Sequence, residues 1–172
     1  MTISFDALGG PVLQLILRLF HVFFGALWVG MMVFGTFFVG PAVEEIGPEG
    51  GKIMAALQRR RVMVIMPLFA LITLVSGMWL FGRLAGGNLS ALIATPMGLA
   101  FALGGAAALI AFLIGMVVMR PGMMRAQRLA ASRDPAFAAE IHRLRQRGNV
   151  LGRVVGVLLL FALGAMAVAR YL

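Results

Sequence analysis

The sequence predicts an all-α integral membrane protein built as a four-helix bundle, with two tandem helical hairpins as its candidate arrangement. Three observations carry this. Of 172 residues, 62 % are hydrophobic and only 12 % are charged, whereas a soluble domain runs nearer ~45–50 % and ~25 %. The apolar residues fall into four continuous runs. The basic residues crowd into two of the segments between those runs. A soluble chain this short could not bury so much apolar surface. The composition therefore excludes an ordinary soluble enzyme, a disordered tail and a disulfide-stapled secreted domain. Cysteine is absent, which also excludes thiolate-ligated zinc, iron–sulfur clusters and a Cys nucleophile.

A membrane helix needs ~20 mostly apolar residues to cross ~30 Å of hydrocarbon. Four stretches qualify, at about residues 19–39, 62–81, 97–119 and 154–169. The first has a helical lead-in from Val12. No Lys or Arg precedes Arg18 and the following apolar run is too long for a cleaved signal, so it is expected to be a mature span. The runs are continuous rather than alternating, and rich in Leu, Ala, Met and Gly, which argues against strands. Pro67 should kink the second span by removing one backbone hydrogen bond.

Loop charge predicts orientation. The segment 40–61 carries Lys52, Arg59, Arg60 and Arg61. The segment 120–153 carries Arg120, Arg125, Arg128, Arg133, Arg143, Arg145, Arg147 and Arg153. Twelve of the fifteen basic residues thus share one side, against Arg18, Arg83 and Arg170 on the other. The positive-inside rule makes 40–61 and 120–153 cytoplasmic and puts both termini in the periplasm of a bacterial inner membrane. The net charge of +9 is then an orientation signal rather than a nucleic-acid signal. Attraction to anionic lipid headgroups at these basic loops follows as a by-product. The balance of 14 Arg to 1 Lys points to a GC-rich bacterium.

Both cytoplasmic segments should be partly helical. Asp134-Pro135 has the form of an N-cap followed by proline at the first helical position. Phe137, Ile141 and Leu144 then mark an apolar stripe on a basic helix. That helix would lie on the membrane surface or continue into the fourth span. Residues 52–61 could extend the second span into the cytoplasm. The outer segment 82–96, with Gly86-Gly87-Asn88, reads as a short turn.

The halves echo each other weakly. Gly25, Gly35 and Pro41 recur as Gly105, Gly115 and Pro121, each 80 positions on. Leu57 and Gly77 recur as Leu144 and Gly164, each 87 positions on. Two hairpins related by an axis along the membrane normal would produce this pattern. Small residues four apart let helix backbones approach. Gly152 with Gly156, Gly98 with Ala102, and Gly104 with Ala108 are such pairs, for neighbours within this chain or in other transmembrane subunits.

No Asp, Glu or Lys falls within a span, which argues against a proton-coupled pump or transporter. Thr36, Thr73 and Ser76 are expected to bond back to their own helix. His21 is the exception. It shares a face with Gly25, Trp28 and Met32. An imidazole ligates haem iron or copper, and the methionines placed by span direction at the same outer level are Met78, Met97 and Met166. His with thioether sulfur suits Cu(I) or a haem b site. Methionine is also a routine filler of apolar interiors, and Met31, Met63 and Met116 lie toward the other end. The alternatives at His21 are therefore a cofactor ligand, a hydrogen bond to a neighbouring helix or interfacial water, or a contact with a partner's pigment or cofactor. His142 sits a membrane thickness away, so a bis-His haem within one chain is not expected.

Residues 18–30, with His21, Gly25 and Trp28-Val29-Gly30, resemble the first helix of a bacterial superfamily. It includes the copper-resistance protein D family, the membrane-anchored urate oxidase N-terminal domain and the protoporphyrinogen oxidase HemJ. Met66-Pro67 and Ser76-Gly77-Met78-Trp79 are similar to that superfamily's second helix, so the resemblance covers residues 18–82. It implies a membrane bundle of four or more helices. In some branches it implies haem or copper handling with the first-helix histidine as ligand, which maps to His21.

Two functions follow as expectations. One is a non-enzymatic accessory or structural subunit of a larger membrane complex, with a respiratory or photosynthetic assembly as a natural host. The other is a haem- or copper-binding redox or transport protein of the copper-resistance D type.

Overall fold

A computed structural model describes residues 10–132 and 134–172. The N-terminal residues 1–9, and Arg133 among the twelve loop cations, lie outside the described residues. The described chain is helical almost throughout. Helix α1 is Pro11–Ile46, α2 is Gly50–Arg59 and α3 is Val62–Ala85. Helix α4 is Leu89–Ile93, α5 is Pro96–Ala131 and α6 is Pro135–Tyr171. The four long helices α1, α3, α5 and α6 are each apolar and long enough to span a bilayer.

Helix starts follow from local chemistry. Pro11, Pro96 and Pro135 open α1, α5 and α6, where a missing N–H costs nothing. The Thr95 hydroxyl accepts from Gly98 N at 3.0 Å, and Asp134 Oδ1 accepts from Ala136 N at 2.9 Å. The Asp134-Pro135 helix continues straight into the fourth span, which decides between its two expected forms. At ~1.5 Å per residue, the 36 residues of α5 and the 37 of α6 span about 55 Å. Their Arg-rich ends therefore project well beyond a ~30 Å hydrocarbon slab.

Two local expectations are corrected. Residues 52–61 do not extend the second span. Arg61 adopts a left-handed conformation, φ 56° and ψ 26°, which stops α2 and restarts the chain as α3. The outer segment is more than a turn. Helix α3 runs on to Ala85, and Asn88 then caps α4 by accepting from Ala91 N at 3.0 Å. Gly86 and Gly87 still make the expected turn, at φ of 54° and 89°, and the short helix follows it.

Helix α1 packs chiefly on α3, and α5 chiefly on α6, giving two antiparallel hairpins. Where they meet, the core is small-residue rich: Trp28, Ala70, Ala107, Ala108, Ala111, Val155, Leu159 and Ala162. Trp28 meets Phe112 edge-on, with centroids 6.5 Å apart. Alanine at these positions lets backbones approach, which is the main source of cohesion between helices in lipid.

The hairpins share one unusual device. Residues Gly35–Val39 of α1 and Ile114–Met119 of α5 are π-helical. Gly40 N–H donates to Gly35 O, and Arg120 N–H donates to Gly115 O. The two bonds lie 80 positions apart, at the register of the internal repeat. Pro41 and Pro121 follow immediately. A π turn widens the backbone where the proline ring would meet the carbonyl four residues back. Both π segments converge on α6. A Cβ on Gly152 would meet Thr36 Oγ1 at 3.3 Å and Met119 Cε at 3.6 Å, and one on Gly156 would meet the Phe37 ring at 2.9 Å. The Gly152–Gly156 pair is thus the seat for both. The second half of the repeat is not mirrored: Gly77 packs against a side chain, while Gly164 faces open space.

Candidate functional site at His21

His21 sits on α1 where α1 crosses α3. Helix α3 supplies the opposing surface, Thr73, Ser76 and Gly77. The fit is reciprocal. His21 lies over Gly77, and Thr73 lies over Gly25. A Cβ on Gly77 would come within 2.6 Å of His21 Cε1, and one on Gly25 within 3.3 Å of Thr73 Cγ2. Each helix thus contributes one bulky and one glycine position four apart, on one face.

The polar groups at this crossing form a connected set. His21 Nδ1–H donates to the Thr73 carbonyl at 2.9 Å. The Ser76 hydroxyl lies 3.1 Å from the same carbonyl and 2.6 Å from Ile72 O. The Thr73 hydroxyl donates to Phe69 O at 2.8 Å. Thr73 and Ser76 bond back to their own helix as expected, and both are buried. No buried side-chain polar atom among the described residues lacks a partner. With Nδ1 as the donor, Nε2 carries the imidazole lone pair.

The three candidate methionines have different surroundings. Met78 follows Gly77 but is 71 % exposed and turns away from the bundle. Met166 packs in the other hairpin, with Cγ 3.4 Å from where a Gly104 Cβ would stand. Met97 is half-buried in the first turn of α5. His142 is exposed on the Arg-rich end of α6. Among the described residues, no three His, Asp or Glu side chains cluster as a metal site. Among the described residues, the ring's hydrogen bond is the one from Nδ1 to Thr73 O.

The small-residue pairs have distinct partners. Gly104 packs on Ala162 and Ala165 of α6, and Ala108 is buried in the core. Gly98 serves a different end. A Cβ there would lie 2.0 Å from Leu92 O, so this glycine lets α4 fold back onto α5. Ala102 is half-buried.

Two polar contacts tie the Arg-rich end together. Arg125 pairs with Glu140 at 2.6 Å, joining α5 to α6. The Asn149 amide donates to Glu44, joining α6 to α1. Neither is visible as a motif, because the partners are brought together only by the helix crossings.

No family model matches this chain, and neither a curated protein nor a solved structure matches it significantly.

Proposed function

We propose that the chain is a non-enzymatic subunit of a larger bacterial inner-membrane complex, with other transmembrane subunits as partners. The observation that carries this reading is the surface of α1. Only 6 % of its most apolar stretch is buried. Phe20, Phe23, Phe34 and Phe38 are all exposed, fall on one side by helical spacing, and include a stacked pair, Phe34 and Phe38, with centroids 5.8 Å apart. An exposed aromatic face of this extent fits a neighbouring helix surface. Thr73 and Ser76 add support, because their hydroxyls bond back to their own helix rather than toward a substrate. A photo-crosslinking residue at Phe34 tests it in native membranes. The expected product is an adduct with a second polypeptide. Adducts with lipid alone overturn the reading.

A second reading is favoured by one observation at His21. A histidine that ligates a metal generally gives its other ring N–H to a carboxylate or backbone carbonyl, as His21 gives Nδ1–H to Thr73 O. His21 fits as one ligand, through Nε2, of a haem b or Cu(I) site completed by another chain. Such a group would supply electron transfer. The resemblance of residues 18–82 to the copper-resistance D superfamily supports this reading. The absorption spectrum and metal content of the gently purified protein, compared with His21→Ala, distinguish it from the first.

A further inference from the structure

The outer side of α6 is one stripe that runs from charge into hydrocarbon. Arg143, Arg147, Val150, Val154, Val157 and Phe161 follow one another at three- and four-residue steps, and so share a face. All six are exposed, Val150 and Val157 by 60 % and 61 %. The apolar members face lipid. At ~1.5 Å per residue, Arg147 stands about 4.5 Å beyond Val150 and Arg143 about 10 Å beyond it. The polar layer beside each face of the hydrocarbon is roughly 5–7 Å thick. Both arginines thus follow directly on the apolar stripe, and their long stems let the guanidiniums reach toward the headgroup layer.

The electrostatics leave them free for an anion. The carboxylate one turn before Arg143 is Glu140, and Arg125 already holds it at 2.6 Å. The other ion pair among the described residues is Lys52–Glu49. Beside Arg147, α5 and α6 part to form a recess of about 30 Å³, lined by Val118, Gly122, Gly148 and Leu151 among others. A Cβ on either Gly122 or Gly148 would touch nothing within 4 Å.

We infer that this face is a binding site for one anionic phospholipid. Arg147 and Arg143 hold the phosphate, the glycerol end lies against the Gly122–Gly148 recess, and an acyl chain runs along Val150, Val154 and Val157. Basic pockets between helices are a general means of headgroup recognition. The inference rests on reading the chain as membrane-inserted, so its test keeps the two apart.

The test uses the full-length protein in mild detergent, titrated by native mass spectrometry. The probes are phosphatidylglycerol and phosphatidylcholine with identical acyl chains. The expected result is preferential retention of phosphatidylglycerol. That preference falls about fivefold for each arginine replaced in Arg143→Gln and Arg147→Gln. It persists in Arg143→Lys with Arg147→Lys, and in the charge-matched control Arg128→Gln with Arg145→Gln. Equal loss in the control, or no preference in the parent protein, overturns the inference, including in favour of an acidic protein partner at this face. Extraction of the protein by alkaline carbonate would instead overturn the membrane reading. Protein retained in membranes yet without lipid preference overturns only the site.

Discussion

The imidazole of His21 occupies the space that a side chain on Gly77 would need. A Cβ on that glycine would stand 2.6 Å from Cε1 and 2.9 Å from Nδ1. The glycine thereby exposes the Thr73 carbonyl to a donor on another helix, and the His21–Thr73 hydrogen bond follows. Gly77→Ala should displace the ring and cost about 1–3 kcal/mol, the usual range for overpacking. Thermal unfolding in detergent measures it. In a His21→Ala background the same substitution should cost much less, since the ring it strikes is gone.

Removing the donor alone should matter little. The Thr73 carbonyl retains its contact with Ser76, and interhelical hydrogen bonds in membranes average about 0.6 kcal/mol. His21→Phe should therefore lower stability by under about 1.5 kcal/mol in the same assay. A larger loss would mean that His21 holds more than the helix pair.

Three glycines of α6 should rank by the space beside them. Gly156→Ala strikes the Phe37 ring at 2.9 Å and should be the most destabilising. Gly152→Ala meets Thr36 and Met119 at 3.3–3.6 Å and should cost less. Gly164→Ala meets nothing within 4 Å and should be neutral. Unfolding midpoints of the three variants check the order.

The Arg125–Glu140 pair should contribute under about 1 kcal/mol, because Arg125 is 67 % exposed and exposed pairs are screened. A double-mutant cycle should give a coupling that disappears in high salt.

The long helices and their caps are legible in the sequence because their causes are local. Asp134-Pro135 announces a helix start, and four apolar runs announce four crossings. The proline-linked π turns show how far a repeat can be read. Gly35 with Pro41 and Gly115 with Pro121 mark equivalent positions, but the widened hydrogen bonds appear only in the backbone. Arg61 is less legible. An arginine in the left-handed region has no sequence signature, so the break before α3 reads as continuous helix. At the candidate site, His21 stands out as the one imidazole on a span. Its partner does not, because Gly77 among so many glycines carries no mark of the contact it makes. Met78 shows the same helix geometry. It adjoins Gly77 in the chain, yet one residue along a helix turns it by about 100° toward lipid.

Orientation has its own test. Fusing a periplasm-active reporter and a cytoplasm-active reporter in turn after Leu172 should give signal from the first alone. The same pair inserted between Ser132 and Asp134 should give the opposite result, as the basic segments require.

The proposal that this chain works within a larger complex is tested most directly by the mass of the particle released from native membranes in mild detergent. Light scattering should give a protein mass several times the 18.4 kDa of one chain, with other polypeptides co-purifying in fixed ratio. A protein mass equal to one chain, with no companion polypeptide, would contradict it.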